Sequence, residues 1–517
     1  MLRAATVLTI TCAGGERGGG VTIAFRYSNS CVGWVGVHGH WLYGERKCWV
    51  GRTSADKGIM KLASAILGTV DAVRDALPIA AKANEIAIRG AALIGAGEVD
   101  ITVLARAPMW QALDLSVLNV RALVLAEPLP DGATARAILE RAAAARMLVF
   151  LVENGGVRRL RLDDLLGSPA HAYDWSRIRS VIEGKRVLIT GGGGSIGGEL
   201  ARRIASLGPK RLTLLDSSEY NLYKIGLELP DAVLALADIR DPNSMRRWFG
   251  AELPHVVFHT AALKQVPLVE KFPCEGVLTN VHGLENVTQA AHGVGADLIF
   301  VSTDKAVDPS GAMGASKRLG EMLCQALDRR GPRRAIPVRL GNVLGSTGSV
   351  SPIFEAQVEA GEPLTITDAA MTRYFLTIPQ AADALLQAAA VGLASEQRGA
   401  VLVIEMGEAL PVVDLARQVI QLAGKRPDID VPIIFTGLRP GERLHESLIA
   451  SNEWRDADPA QGVNAVASTP RGLAELKAIV ERLTLLAREG ADEAVRQELF
   501  ATVAQAPAEK AASAARA

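Results

Sequence analysis

The sequence predicts an α/β protein: a doubly wound parallel sheet with a smaller α+β part after it and a small α/β domain ahead of it. Three observations carry this. Between 185 and 345, short apolar runs alternate with stretches of helical period, the rhythm of parallel strands joined by crossover helices. The run 187–189 ends in Thr190 and four glycines, 191–194, after which Ile196, Leu200 and Ile204 fall at helical spacing. A second run, 212–215, then ends in an acid, Asp216.

Strand, glycine turn, helix, strand and acid together make a dinucleotide site. Glycines let the backbone approach a pyrophosphate, and the helix start offers free N–H groups and a positive dipole end. The spacing is GxxGxxG through Gly191, Gly194 and Gly197, with Ser195 and Ile196 opening the helix. Asp216 is placed to bind a ribose diol. It would repel a 2′-phosphate, and no arginine follows it directly in DSSEYNLY. NAD is therefore expected rather than NADP.

Composition sets bounds. A chain of 517 residues holds two or three domains. Lys+Arg and Asp+Glu are equal at 56 each, so charge gives no case for nucleic acid as a partner. Five scattered cysteines do not make a disulfide framework, and a reducing cytoplasm is expected. The longest apolar candidate for a membrane span, 59–81, is broken by Lys61, Asp71, Arg74 and Asp75.

Residues 1–85 read as an atypical, poorly ordered N-terminal extension. Cys31, His38, His40 and Cys48 match no standard zinc spacing, so no metal is expected. Residues 86–168 read as a small α/β domain whose Gly95-Ala96-Gly97 follows its first strand and hints at a second nucleotide fold. Residues 169–184 are a connector. In the main sheet, 185–345, strands are expected at 186–190, 211–215, 233–236, 255–259, 298–302 and 336–340. Helices are expected at 195–207, 276–293 and 312–330. Residues 346–450 build the substrate-binding part, intermixed with the last strands, and 451–517 form a helical tail.

Ligands in such sheets bind beyond the carboxyl ends of the strands. Asp238 and Ile239 close the third strand, at the adenine edge, and Ala261 and Ala262 follow the fourth. The fifth ends in Thr303, Asp304 and Lys305. Met313 and Lys317 share a face of the next helix, being four apart. A hydroxyl, a carboxylate and two lysines beside a nicotinamide form an acid–base set. The histidines show no ligand spacing and read as fold residues.

These blocks resemble the extended short-chain dehydrogenase/reductases, with a Rossmann sheet. More narrowly, they are similar to the UDP-N-acetylglucosamine 4,6-dehydratases of bacterial polysaccharide, capsule and O-antigen biosynthesis. The resemblance runs in order through ITGGGGSIGGEL, LDSSEYNLY, HTAALKQVPLVE, TNVHGLENV, VSTDKAVDPSGAMGASKRLGE, VRLGNVLGSTGSVSPIF, MTRYFLTIPQA and GLRPGERLHESL, about 185 to 450. The superfamily's YxxxK reads Met313 to Lys317 here, as in the long, membrane-associated branch whose members carry Met for Tyr.

The resemblance implies an NAD-dependent hydro-lyase. C4 of the hexose is oxidised, water leaves across C5 and C6, and hydride returns to C6. Lys305 would be the C5 base and Asp304 the acid toward the C6 oxygen. A free ion pair would shift both pKa values the wrong way, so the pocket has to separate or dehydrate them. Thr303 would bond the C4 oxygen, and Lys317 would hold the nicotinamide ribose. Met313 has no proton to exchange, which leaves water or Asp304 as the group that deprotonates the C4 hydroxyl. Asn280 would join the cofactor contacts. Lys264, Arg339, Asn342, Arg373, Arg439 and Glu442 would hold the UDP-sugar, arginine suiting diphosphate through bidentate bonds. A homo-oligomer is expected, in the cytoplasm, at the inner face of the membrane where relatives are anchored. Two alternatives stand beside this: a nucleotide-sugar 4-epimerase or oxidoreductase, and a cofactor-bound scaffold without turnover.

Overall fold

The computed structural model describes residues 61–129, 131–166, 172–455 and 462–504, and the backbone of three strands nearer the start. The chain divides into two units, 1–61 and 62–517. In the first, Val7–Ile10, Ile23–Tyr27 and Cys31–Val35 form an antiparallel sheet. His38, His40 and Cys48 of the expected extension lie outside the described residues, and Cys31 is described as backbone alone.

The second unit opens with β1 (Leu62–Thr69) and α1 (Val70–Ala80), followed by β2 (Ile86–Ile94), β3 (Val103–Ala107) and β4 (Ala122–Leu125). After α2 (Gly132–Ala144) come β5 (Leu148–Glu153) and β6 (Gly156–Arg159). The sheet order is β3-β2-β1-β4-β5-β6, parallel except for β6. The small sheet therefore begins at Leu62 rather than at 86. Its first strand is central and buried on both faces, with Ala65, Ile66 and Leu67 fully covered. Such a strand shows no polar alternation, so with the amphipathic α1 behind it the stretch reads as one broken apolar run. The Gly95-Ala96-Gly97 turn follows the second strand, and Arg106 occupies it, donating to the carbonyls of Gly95 and Gly97, each at 2.6 Å. At the end of β1, where a phosphate would sit, the Thr69 N–H donates to the Glu127 carboxylate at 2.9 Å.

The second sheet carries the dinucleotide-type motif. Its elements are α3 (Trp175–Ile182), β7 (Arg186–Thr190), α4 (Ser195–Ser206), β8 (Arg211–Asp216) and α5 (Glu219–Glu228). Then come β9 (Val233–Leu236), α6 (Pro242–Glu252), β10 (Val256–His259), α7 (Val266–Lys271) and α8 (Pro273–Val277). A π-turn, Leu278–His282, leads into α9 (Gly283–Val294), β11 (Asp297–Thr303), α10 (Ala312–Arg330) and β12 (Ala335–Leu340). The later elements are α11 (Val350–Ala360), α12 (Ile378–Ala394), β13 (Val401–Ile404), α13 (Val412–Leu422), β14 (Trp454–Arg455) and β15 (Val463–Ala467). The order β9-β8-β7-β10-β11-β12-β13 is parallel, with β15 and β14 added antiparallel at the far edge. The chain switches direction across the sheet between β7 and β10, so the cleft of such a fold lies beyond their carboxyl ends.

The expected strands and the expected fold class agree with this sheet. The expected helix 276–293 does not run straight: its turn 278–282 is π-type. Two terminal helices, α14 (Leu473–Arg488) and α15 (Asp492–Val503), pack Leu476, Leu483, Val495 and Leu499 against Val277, Ala315 and Leu319. Arg496 of α15 binds Glu270, whose carboxylate accepts the Ala312 N–H at the start of α10. Among the described residues no helix is long and apolar enough to cross a membrane.

Candidate active site

The glycine turn after β7 has no room for side chains. A Cβ at Gly197 would stand 2.1 Å from the Gly191 carbonyl oxygen, and one at Gly191 would meet the Ala261 nitrogen at 2.7 Å. Gly191 also takes φ +70°, a left-handed conformation that glycine adopts without strain. The Asp216 carboxylate accepts the N–H groups of Gly193 at 3.0 Å and Ser218 at 2.9 Å, which holds it at the mouth of the turn. A bare backbone cradle, a helix start and a fixed acid fit a dinucleotide. The far rim is braced: Asp238 accepts the Arg240 N–H at 2.9 Å, and Asn286 donates to the Ile239 carbonyl at 3.0 Å.

The loop that carries Ser346 and Thr347 reaches over this turn. The Thr347 N–H donates to Ser195 Oγ at 3.0 Å, and the Lys264 ammonium donates to Ser346 Oγ at 3.1 Å. Burial pulls the Lys264 pKa below its ordinary value. Asn280 is not free for a cofactor. Its amide accepts from Leu263 N at 2.8 Å and donates to the Leu263 carbonyl at 2.9 Å and to Ser316 Oγ at 3.0 Å. The π-turn carries Asn280, which ties the segment after β10 to α10.

Beyond β11 the expected acid–base residues meet. Lys305 Nζ lies 2.9 Å from Asp304 Oδ1 and 3.2 Å from Asn342 Oδ1. Asp304 Oδ1 also accepts the Thr303 hydroxyl at 2.7 Å. Its Oδ2 is buried and accepts nothing among the described residues. The pocket thus pairs Asp304 with Lys305 instead of separating them, and dehydrates the acid. Thr303 gives its proton to Asp304, so of its hydrogen-bonding capacity only acceptor sites remain.

Lys317 lies beneath this group. Its Nζ donates to the Val301 carbonyl at 2.9 Å and stands 4.6 Å over the Phe300 ring centroid. Burial brings its pKa down to about 8, opposed by the nearby Glu321. Met313, one turn earlier, is buried in an apolar cluster with Val269, Val277 and Val281. It supplies packing and no proton.

Two of the expected substrate arginines belong to the fold. Arg339 is fully buried, and its guanidinium bonds Glu321 at 2.7 Å twice, Glu453 at 2.6 and 2.7 Å, and the Leu448 carbonyl at 3.2 Å. Nothing is left for a diphosphate. Arg373 donates to the carbonyls of Thr372 at 2.7 Å, Leu444 at 3.0 Å and Arg443 at 2.7 Å. Arg439 is exposed, and among the described residues its guanidinium makes no ion pair. Glu442 accepts the Arg439 N–H at 3.2 Å. One further acid escapes the sequence reading: the Glu446 side chain is only 5% exposed, and the charges of Lys305 and Asp304 both act on it.

Residues 187–467 match the family described as "Polysaccharide biosynthesis protein". A Bacillus subtilis strain 168 protein named "Probable polysaccharide biosynthesis protein EpsC" is 42% identical over 315 residues, 59% of this chain and 52% of that relative. The chain spans about half the length of the polysaccharide-biosynthesis relatives it matches. A Rickettsia akari protein named "UDP-glucose 4-epimerase" is 35% identical over 308 residues, 57% of this chain and 87% of its own. The solved "X-ray structure of Pen from Bacillus thuringiensis" is 28% identical with a TM-score of 0.50, covering 56% of this chain and 89% of that one.

Proposed function

Because the chain belongs to the polysaccharide biosynthesis protein family, we infer that it is a nucleotide-sugar 4,6-dehydratase. The substrate of this reading is UDP-GlcNAc and the product UDP-2-acetamido-2,6-dideoxy-4-hexulose. The observation that carries it is the contact between Lys305 and Asp304 at the tip of β11. An epimerase needs hydride transfer at C4 alone, whereas elimination needs a base at C5 and an acid at C6 together.

A nicotinamide dinucleotide would be held by Gly191, Gly194, Gly197 and Asp216, and would supply the hydride acceptor for C4 and the donor for C6. The chain's residues handle the protons. A ketone at C4 acidifies the C5 proton, and Lys305 removes it as a neutral amine. Asp304 hands the proton it holds on Oδ1 to the departing C6 oxygen, which restores the carboxylate beside the newly formed Lys305 ammonium. Both species are one proton shift from the observed pair. Moving a proton from Nζ to Oδ1 along the 2.9 Å hydrogen bond leaves an amine and a carboxylic acid. Asn342 keeps the amine in place.

Incubation with UDP-GlcNAc, followed by mass spectrometry, tests this reading. The expected result is loss of one water without net turnover of nicotinamide. The second reading, 4-epimerisation, is favoured by the Rickettsia akari relative's name. UDP-GalNAc at unchanged mass would establish it and overturn the first.

A further inference from the structure

We propose that Glu270 is a positioning residue for the catalytic pair, and that the terminal helix α15 acts on the active site through it. This rests on the dehydratase reading for its chemistry, while the chain of contacts stands by itself. α10 begins without a cap of its own, because Gly311 at its N-cap has no side chain to accept the free N–H groups of the first turn. The Glu270 carboxylate, brought by α7, takes that place, and a negative charge suits a helix start. Its Oε1 accepts the Ala312 N–H, and its Oε2 accepts from Arg496 Nη1 of α15. Arg496 Nη2 also donates to the Glu270 carbonyl. The Glu270 side chain is only 10% exposed. One buried carboxylate thus joins α7, α10 and α15.

Glycines make room for it. A Cβ at Gly311 would stand 2.6 Å from Glu270 Oε1, and one at Gly441 would stand 2.9 Å from the same atom. Gly441 belongs to the loop that carries Arg439, Glu442 and Arg443. Ser310 donates to the Gly441 carbonyl at 3.2 Å, and Arg443 donates to the Val307 carbonyl at 3.1 Å. Glu270 therefore lies where the start of α10 meets the 439–443 loop.

The first turn of α10 abuts Lys305. A Cβ at Gly314 would overlap the Lys305 carbonyl oxygen, so the helix backbone lies directly against the Lys305 peptide. From that peptide the Lys305 side chain reaches Asp304 and Asn342. A helical turn moves as a unit, so a shift at Ala312 carries Gly314 with it and displaces Lys305. Misplacing a reacting group by about 1 Å costs on the order of a hundredfold in rate. Arg496 fixes the carboxylate that fixes this turn, through a charge-assisted hydrogen bond.

Hydrogen–deuterium exchange in the whole protein reads this path without turnover. Arg496→Ala should raise exchange in peptides spanning 304–314 by at least about tenfold, while peptides spanning 186–206 keep the wild-type rate. Arg496→Lys should restore most of the protection. Unchanged exchange at 304–314, or an equal rise at 186–206, would overturn the proposal. In the water-loss assay, with folding of each variant confirmed by its urea transition, Glu270→Ala should lower kcat on the order of a hundredfold and Arg496→Ala about tenfold, both at unchanged KM. Glu270→Gln keeps an oxygen for Ala312 and loses the charge for Arg496, so it should match Arg496→Ala. The double variant should be no slower than Glu270→Ala alone, because Arg496 acts through Glu270. A wild-type kcat in folded Glu270→Ala would leave Glu270 a structural role only, and losses that multiply would take Arg496 off the path; either result overturns the proposal. A wild-type protein that eliminates no water would sink the dehydratase reading alone, since the exchange rates need no turnover.

Discussion

Lys305 and Asp304 face each other across 2.9 Å, the amine 21% exposed and the acid not at all. Neighbours in sequence, they act as one group. Lys305→Ala and Asp304→Asn should each slow water loss by about 10²- to 10⁴-fold. The double variant should be hardly slower than the worse single one, because residues that work as a unit are not additive. Cofactor should remain bound in Lys305→Ala, as read from the nucleotide released on denaturation. Near-wild-type turnover in that variant would remove Lys305 from the role of base.

The glycine turn makes a sharper demand. In Gly197→Ala the new methyl would meet the Gly191 carbonyl oxygen at 2.1 Å, closer than any real contact. The turn must open, at a cost of about 1–3 kcal/mol, and the cradle for the pyrophosphate opens with it. Cofactor affinity should fall at least about tenfold, for each tenfold needs only about 1.4 kcal/mol. Isothermal titration with NAD⁺ checks this. Unchanged affinity would mean that the dinucleotide does not lie on this turn.

Arg339 separates two accounts of one residue. Its guanidinium lies in a buried network with Glu321 and Glu453, and removing one member leaves charges unpaired. Arg339→Ala should cost about 3–5 kcal/mol of stability, seen as an earlier transition in urea. If Arg339 instead gripped the diphosphate, the variant would stay stable and KM for the UDP-sugar would rise.

The sheet was legible because each local signal agreed with the next. Strand tips at Thr190, Asp216 and Thr303 follow from apolar runs ending in polar residues, and the doubly wound order brings β7, β10 and β11 side by side. The destination of long side chains was not legible. Arg339 and Arg373 sit in blocks that suggest phosphate, yet their partners come from Glu453, Arg443 and Leu444, far along the chain. Asn280 depends on a π-turn that a straight helical period hides. The early strand β1 was obscured because a strand buried on both faces carries no alternation.

His259, read from sequence as a fold residue, makes the acid limb of stability predictable. Its Nδ1 is 2.6 Å from Thr190 Oγ1, its ring is stacked on Phe300, and its Nε2 is buried without a partner among the described residues. Burial, with the charge of Lys317 adding to it, pushes its pKa down to about 3 from an ordinary 6.5. Between those values the unfolded chain carries a proton that the native one refuses. Stability contributed by the neutral ring is therefore complete above pH 6.5 and is lost as pH falls toward 3. The slope is about 1.4 kcal/mol per pH unit inside that window. His259→Asn does not titrate there, so its own stability lacks this limb. At pH 7.5 the variant should be less stable than wild type by about 1–3 kcal/mol, from the altered bond to Thr190 and the lost ring. The gap should close as the urea midpoints are compared at pH 6, 5.5 and 5. Parallel decline of the two proteins would show that His259 takes up its proton in the native state, and that its ring is not held neutral.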